Sequence, residues 1–135
     1  MTPEIRVVAL DHFVLRVRDL ERALGFYGDL LGLKIEFLDE YRAATRPFVS
    51  ARVGGVLIDL VPDPTFDAQA GATHGGFLHF CVRLGSPLGE AVERLRASGV
   101  EIIEEQPAMR MGATGVGASI YVRDPDGYIV ELKQE

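Results

Sequence analysis

His12-Phe13-Val14-Leu15-Arg16-Val17 returns later in the chain as His79-Phe80-Cys81-Val82-Arg83-Leu84, 67 positions on. The same displacement carries Asp19 to Ser86, Gly32 to Gly99 and Ile35 to Ile102. Near the end of each copy the register slips by five. Asp59 and Glu131 stand 72 apart, and the extra residues fall in the glycine-rich stretch Met109 to Gly117. The chain therefore reads as one short module written twice, each copy opening on a histidine and closing on a carboxylate.

Working outward, Ala9 to Arg18 alternates in the manner of a half-buried strand, with Phe13, Leu15 and Val17 on one side and His12, Val14 and Arg16 on the other. The period then changes. From Asp19, a good N-cap, Leu20, Ala23, Leu24, Tyr27, Leu30 and Leu31 fall on one helical face, and Gly32 offers a left-handed stop. Strands are expected near Leu33 to Asp39, Phe48 to Val53 and Val56 to Val61, with Gly54-Gly55 as the turn of the last hairpin. The order is strand, helix, strand, strand, strand.

The second copy repeats this order. A strand is expected at Gly76 to Leu84, followed by a helix capped by Ser86, opened by Pro87 and stopped at Gly99. Strands near Val100 to Glu105, Ala118 to Arg123 and Tyr128 to Lys133 complete it, and Asp124-Pro125-Asp126-Gly127 is strong turn chemistry. Residues 1–135 are expected to form a single domain, with module one at about 7–62, a linker at 63–75 and module two at about 76–135. Two such modules, each with one helix and one sheet, would pair so that their curved sheets enclose a cleft. The expected class is α+β.

Composition narrows the function. Hydrophobic residues at 47% and charged residues at 25% are ordinary for a globular protein. The net charge of −6 argues against a surface that tracks nucleic-acid phosphates. No apolar run approaches a membrane span, and Met1 to Arg6 lack the apolar core of a signal peptide, so a cytoplasmic protein is expected. The lone Cys81 excludes an internal disulfide and fits a reducing compartment. Small-molecule chemistry or a protein partner remains.

Strand parity decides what lines the cleft. His12 and Arg16 should share the open face of the first strand. His79, Cys81 and Arg83 should share that of the fifth, with Leu78, Phe80 and Val82 packing inward. Asp59 lies between Ile58 and Leu60, and Glu131 between Val130 and Leu132, so both carboxylates should point with the histidines. Two imidazoles with one or two carboxylates suit a borderline divalent ion, Fe, Mn, Ni, Co or Zn, and leave coordination positions open for substrate. Each of the four, taken singly, would pass for an ordinary strand residue. Their recurrence at matching places in a duplicated unit favours a metal site.

Leu10-Asp11-His12, the run from Asp19 through Phe26-Tyr27 to Leu31-Gly32-Leu33, and Asp124-Pro125-Asp126-Gly127-Tyr128-Ile129-Val130-Glu131 together resemble the vicinal oxygen chelate superfamily. That superfamily includes glyoxalase I, extradiol dioxygenases, methylmalonyl-CoA epimerase, and fosfomycin and bleomycin resistance proteins. The resemblance covers nearly the whole chain. It implies paired βαβββ modules, a divalent metal chelated by two neighbouring substrate oxygens, and a homodimer. It puts His12, His79 and Glu131 on metal positions, and Asp59 where glyoxalase I has a glutamate ligand that also moves a proton. The shorter Asp59 leaves open whether it binds metal or serves as base.

Glyoxalase-like isomerase, lyase or epimerase chemistry is the leading expectation, with Asp59 and Glu131 as catalytic candidates. An extradiol dioxygenase using Fe(II) or Mn(II) is the alternative. Tyr121, ten residues before Glu131, matches the tyrosine such enzymes place beside their metal, whereas Gly112 stands about where they carry a further histidine. Val14 departs from the threonine of the fosfomycin-modifying branch, and no complete glutathione-binding pattern is present. The segment Arg110 to Ser119 resembles glyoxalase-like members of unassigned substrate. A non-catalytic protein that binds a small molecule or antibiotic, or a metal-free interaction domain, is a further alternative, against which the retained His12, His79 and Glu131 argue.

Arg16, Arg52 and Arg83 are candidates for holding an anionic substrate group, although strand-end arginines are more often solvated. Cys81 is a candidate pocket residue, soft ligand or nucleophile. His74 is expected to be exposed in the linker. The run containing Gly112, Gly115 and Gly117 lacks the setting of a nucleotide loop and reads as a mobile cover for the cleft, with Met109 and Met111 as its apolar underside.

Overall fold

The structure is a computed structural model that describes residues 5–66 and 76–135. Most of the expected linker, and His74 with it, lies outside the described residues. Strand β1 spans His12–Val17, and its alternation is visible in burial. Leu15 and Val17 are inside, while His12, Val14 and Arg16 reach solvent. Helix α1, Leu20–Leu24, is capped by the Asp19 side chain, which accepts from Arg22 N. It continues as a wider π-helical turn over Gly25–Leu30, in which Leu31 N reaches back five residues to Phe26 O. Gly32, at φ 73°, ends it.

Strand β2 follows at Lys34–Glu36, then a short helix α2 at Leu38–Arg42, β3 at Val49–Val53 and β4 at Val56–Pro62. The second copy supplies β5 at His79–Leu84, α3 at Leu88–Ala97, β6 at Ala108–Gly112, β7 at Gly115–Arg123 and β8 at Ile129–Gln134. They form two open four-stranded sheets, ordered β1-β4-β3-β2 and β5-β8-β7-β6. The first pair in each sheet is parallel and the rest are antiparallel. The class is α+β.

Several expectations need correction. The strand expected at Leu33–Asp39 is only three residues long, because the chain turns into α2 through Phe37, held at φ 69°. The strand expected at Val100–Glu105 does not form. Glu101 and Ile103 bond singly to β7, and Ile102 bridges Val122. The fourth strand of the second sheet is instead β6, from the glycine-rich stretch. That stretch forms a hairpin: Gly112 faces Gly115 across a two-residue turn, and Gly115 at φ 119° takes a conformation open to glycine. Pro87, not Ser86, caps α3. Leu78 precedes β5 and is exposed instead of packing inward.

The Asp124–Gly127 turn forms as expected and does more than reverse the chain. Asp124 Oδ1 accepts from the backbone N–H groups of Asp126 and Tyr128, and its Oδ2 accepts the Tyr27 hydroxyl at 2.6 Å. Asp126 accepts from Arg18 N, and Tyr128 donates to Arg16 O. Phe13 meets Phe80 at 5.0 Å between centroids. The joint between modules is thus a buried polar lock beside an aromatic contact, fixing where the two open faces lie.

Candidate metal centre

Ladder register places the four expected ligands. In the β1–β4 pair His12 stands opposite Leu57, two residues before Asp59; in the β5–β8 pair His79 stands opposite Ile129, two residues before Glu131. The antiparallel neighbours repeat the symmetry, with Ser50 opposite Asp59 and Tyr121 opposite Glu131. Each sheet therefore carries one histidine and one carboxylate in the same relative place on its open face.

In the first sheet, Asp11 Oδ2 lies 2.6 Å from His12 Nδ1. A carboxylate at that distance holds the ring proton on Nδ1 and leaves Nε2 to face Asp59 Oδ2, 3.9 Å away. The Asp11 hydrogen bond raises the His12 pKa, with the Asp59 charge a smaller contribution in the same direction. Asp59 is buried, and Ser50 donates to its Oδ1 at 2.6 Å. Oδ2 is the oxygen turned toward the histidine.

In the second sheet, His79 Nε2 lies 3.1 Å from Oε1 of the buried Glu131. The Tyr121 ring packs against His79 at 5.1 Å, and the Arg110 guanidinium lies over Tyr121 at 4.3 Å. Arg110 is itself held by Glu104 and by the Ser119 carbonyl and hydroxyl. Cys81, opposite Glu131, has its thiol pKa pushed up by desolvation and then by the Glu131 charge, so it stays protonated near neutral pH. That weakens it as nucleophile or soft ligand.

The two pairs do not converge within one chain. Among the described residues no three or more His, Cys, Asp or Glu side chains stand close enough to hold a metal together. Two crevices of the chain, one lined by Phe66, Phe77 and Tyr128 and one along Asp19, Arg22 and Arg123, contain none of the four.

Of the arginine candidates, Arg16 pairs with Asp63, and Arg52 with Glu36 in a close ion pair. Arg83 is exposed on the open face beside Lys133. Lys133 was not foreseen, although parity puts it on the face of Glu131. It is 5% exposed, its stem lying over Gly112 and Gly117, where a Cβ would come within 2.8 Å and 3.0 Å of its end. Ser50 was likewise missed, yet the Gly54-Gly55 hairpin fixes it opposite Asp59 by counting.

A family model described as the glyoxalase/bleomycin resistance protein/dioxygenase superfamily matches residues 9–132. The chain belongs to that superfamily. Among its relatives, virulence protein STM3117 of Salmonella typhimurium is 32% identical over 126 residues, covering 93% of this chain and 83% of that protein. A lactoylglutathione lyase of Neisseria meningitidis is 29% identical over 126 residues, covering 92% of this chain and 88% of the relative. An integron cassette protein from the mobile metagenome of V. cholerae superposes with TM-score 0.74 at 26% identity, covering 97% of this chain and 98% of that one. The two open sheets are thus the glyoxalase fold.

Proposed function

We propose that the protein is a divalent-metal-dependent enzyme of the vicinal oxygen chelate type whose site is completed by two copies of the chain. One copy supplies His12 and Asp59, and the other supplies His79 and Glu131. The observation that carries this reading is the matched register of the two histidine–carboxylate pairs, each half of a four-donor set on an open face.

The donors suit the group. Two imidazole Nε2 atoms face carboxylates that are only 6% and 5% exposed. Buried carboxylates are costly unless matched by positive charge, which a bound cation would add. Fe, Mn, Ni, Co and Zn all accept this mixture of nitrogen and oxygen donors. When bound, such an ion would polarise two adjacent substrate oxygens and stabilise negative charge between them. Asp59 Oδ2, the oxygen not engaged by Ser50, is placed to take or return a proton. Apolar side chains left in water, Val14 on the open face and Met109, Met111 and Val116 on the β6–β7 hairpin, offer surface for the second copy.

The lactoylglutathione lyase relatives favour proton-transfer chemistry, an isomerase or lyase acting on a small molecule with adjacent oxygens. A second reading, extradiol-type oxygen chemistry, draws on Tyr121 beside His79. The test is elemental analysis of protein purified without chelators, beside His79→Ala and Glu131→Ala. One divalent ion per site, lost in both variants, supports the enzyme. Ni, Co or Zn then favours the isomerase or lyase, and Fe or Mn the dioxygenase. A parent that stays empty after incubation with these ions overturns the reading and makes metal-free ligand binding the better one.

A further inference from the structure

We propose that Arg46 is an oxyanion receptor that takes a carboxylate or phosphonate group of the substrate beside Asp59; the word substrate rests on the enzyme reading above, the receptor itself does not. Arg46 lies in the connection between α2 and β3. Its guanidinium is clamped between two rings, 3.8 Å from the centroid of Phe37 and 4.3 Å from that of Phe48. Phe37 holds its side of the clamp from a left-handed backbone at φ 69°, which a bulky L-residue rarely adopts. The backbone strain thus serves to place a ring.

The clamp leaves the guanidinium edge available. Nε donates to Phe48 O at 3.2 Å, and Nη2 reaches Ser50 Oγ at 3.5 Å; these use two of its five N–H groups. Among the described residues no carboxylate pairs with Arg46. Arg52, Arg110, Arg123 and Arg16, by contrast, are held by Glu36, Glu104, Glu101 and Asp63. A planar fork fixed on both faces, with N–H groups left over, has already lost the freedom that binding would otherwise remove. Its place is set by the chain from Arg46 to Ser50 Oγ and from Ser50 to Asp59 Oδ1, which puts the fork one hydroxyl away from the candidate base. Carboxylate and phosphonate oxygens match this geometry in bidentate fashion.

The test uses metal-free, isotope-labelled protein titrated with inorganic phosphate and, separately, with acetate, following the Arg46 Nε–Hε resonance in the parent and the Phe48 and Ser50 backbone amide resonances in the parent and both variants. Both Arg46→Lys and Arg46→Met are run beside the parent, with thermal melts and metal uptake recorded on each. The receptor predicts a saturable shift of the Arg46 resonance. Affinity should fall roughly tenfold in Arg46→Met and by less in Arg46→Lys, which keeps charge but not the fork. The stronger of the two anions tells a phosphate-like group from a carboxylate. An Arg46 resonance that neither anion moves, or equal affinity in Arg46→Met, overturns the receptor. A parent that binds the anion yet takes up no metal overturns the metal enzyme and leaves the receptor standing, and the converse result does the opposite.

Discussion

His79 Nε2 lies 3.1 Å from Glu131 Oε1, joining the first and last strands of the second module across the open face of its sheet. The first module repeats the relationship with His12 and Asp59 at 3.9 Å. Because both ladders share one register, a single backbone geometry built twice presents the same donor pair twice. Neither pair alone would hold a metal in an open, three-ligand catalytic arrangement.

A shared site makes a complementation prediction. In a homodimer with each site drawn from both copies, His12→Ala chains and His79→Ala chains are each inactive alone. Mixed and reassembled, a heterodimer places both changes in one site and leaves the other intact. About a quarter of all sites should then regain metal on random pairing. Metal content after co-refolding checks this, and no recovery above the separate variants would place all four ligands in one chain.

Asp11 should matter although it is exposed and would not itself touch the metal. Its carboxylate sets the His12 tautomer from Nδ1 at 2.6 Å. Partners of this kind typically contribute 10–100-fold in metal affinity. Asp11→Ala is expected to weaken metal binding by about that factor with the melting temperature little changed, measured by competition with a chromophoric chelator. It should also lower the His12 pKa, since the Asp11 hydrogen bond is the main cause of its rise.

Much of this was legible beforehand. The repeat and strand parity placed His12, Asp59, His79 and Glu131 on open faces, because a two-residue period survives whatever packs behind it. What parity could not carry was the path between β5 and β8. Val100 to Glu105 has strand composition but bonds to β7 only at isolated points, while the glycines of 112–117 look like a loop and build a hairpin. Those glycines make room for Lys133, a tertiary reason that local propensity does not contain. Arg46 was equally hidden, since its clamp depends on Phe37 and Phe48 meeting it from two sides.

The glycines give a graded prediction. A Cβ at Gly117 would stand 2.9 Å from Gln134 O, a backbone atom of β8 that cannot withdraw without breaking its ladder. At Gly112 the obstacle is the flexible end of Lys133, at 2.8 Å. Gly117→Ala is therefore expected to destabilise the protein by about 1–3 kcal/mol, and Gly112→Ala by less. Urea denaturation of the two variants checks the order. Equal effects would mean that the sheet yields where Gly117 meets β8.

The lock between the modules should give the protein a pH signature. Burial raises Asp124 from an ordinary 3.8 to about 6, against the lowering effect of the Tyr27 hydroxyl and two backbone N–H groups. Between those values the folded chain holds a proton that the unfolded chain has released. Stability from this group is therefore present at low pH and lost as pH rises through 6, by about 3 kcal/mol in all. Asp124→Asn keeps the shape, can donate to the Tyr27 oxygen and still accepts the backbone N–H groups through Oδ1. It should gain stability relative to the parent as pH climbs from about 4 to 7 and show no gain at the acid end. Parallel chemical denaturation across that range measures the difference, and a constant offset between the two proteins would show that folding leaves the Asp124 pKa unshifted.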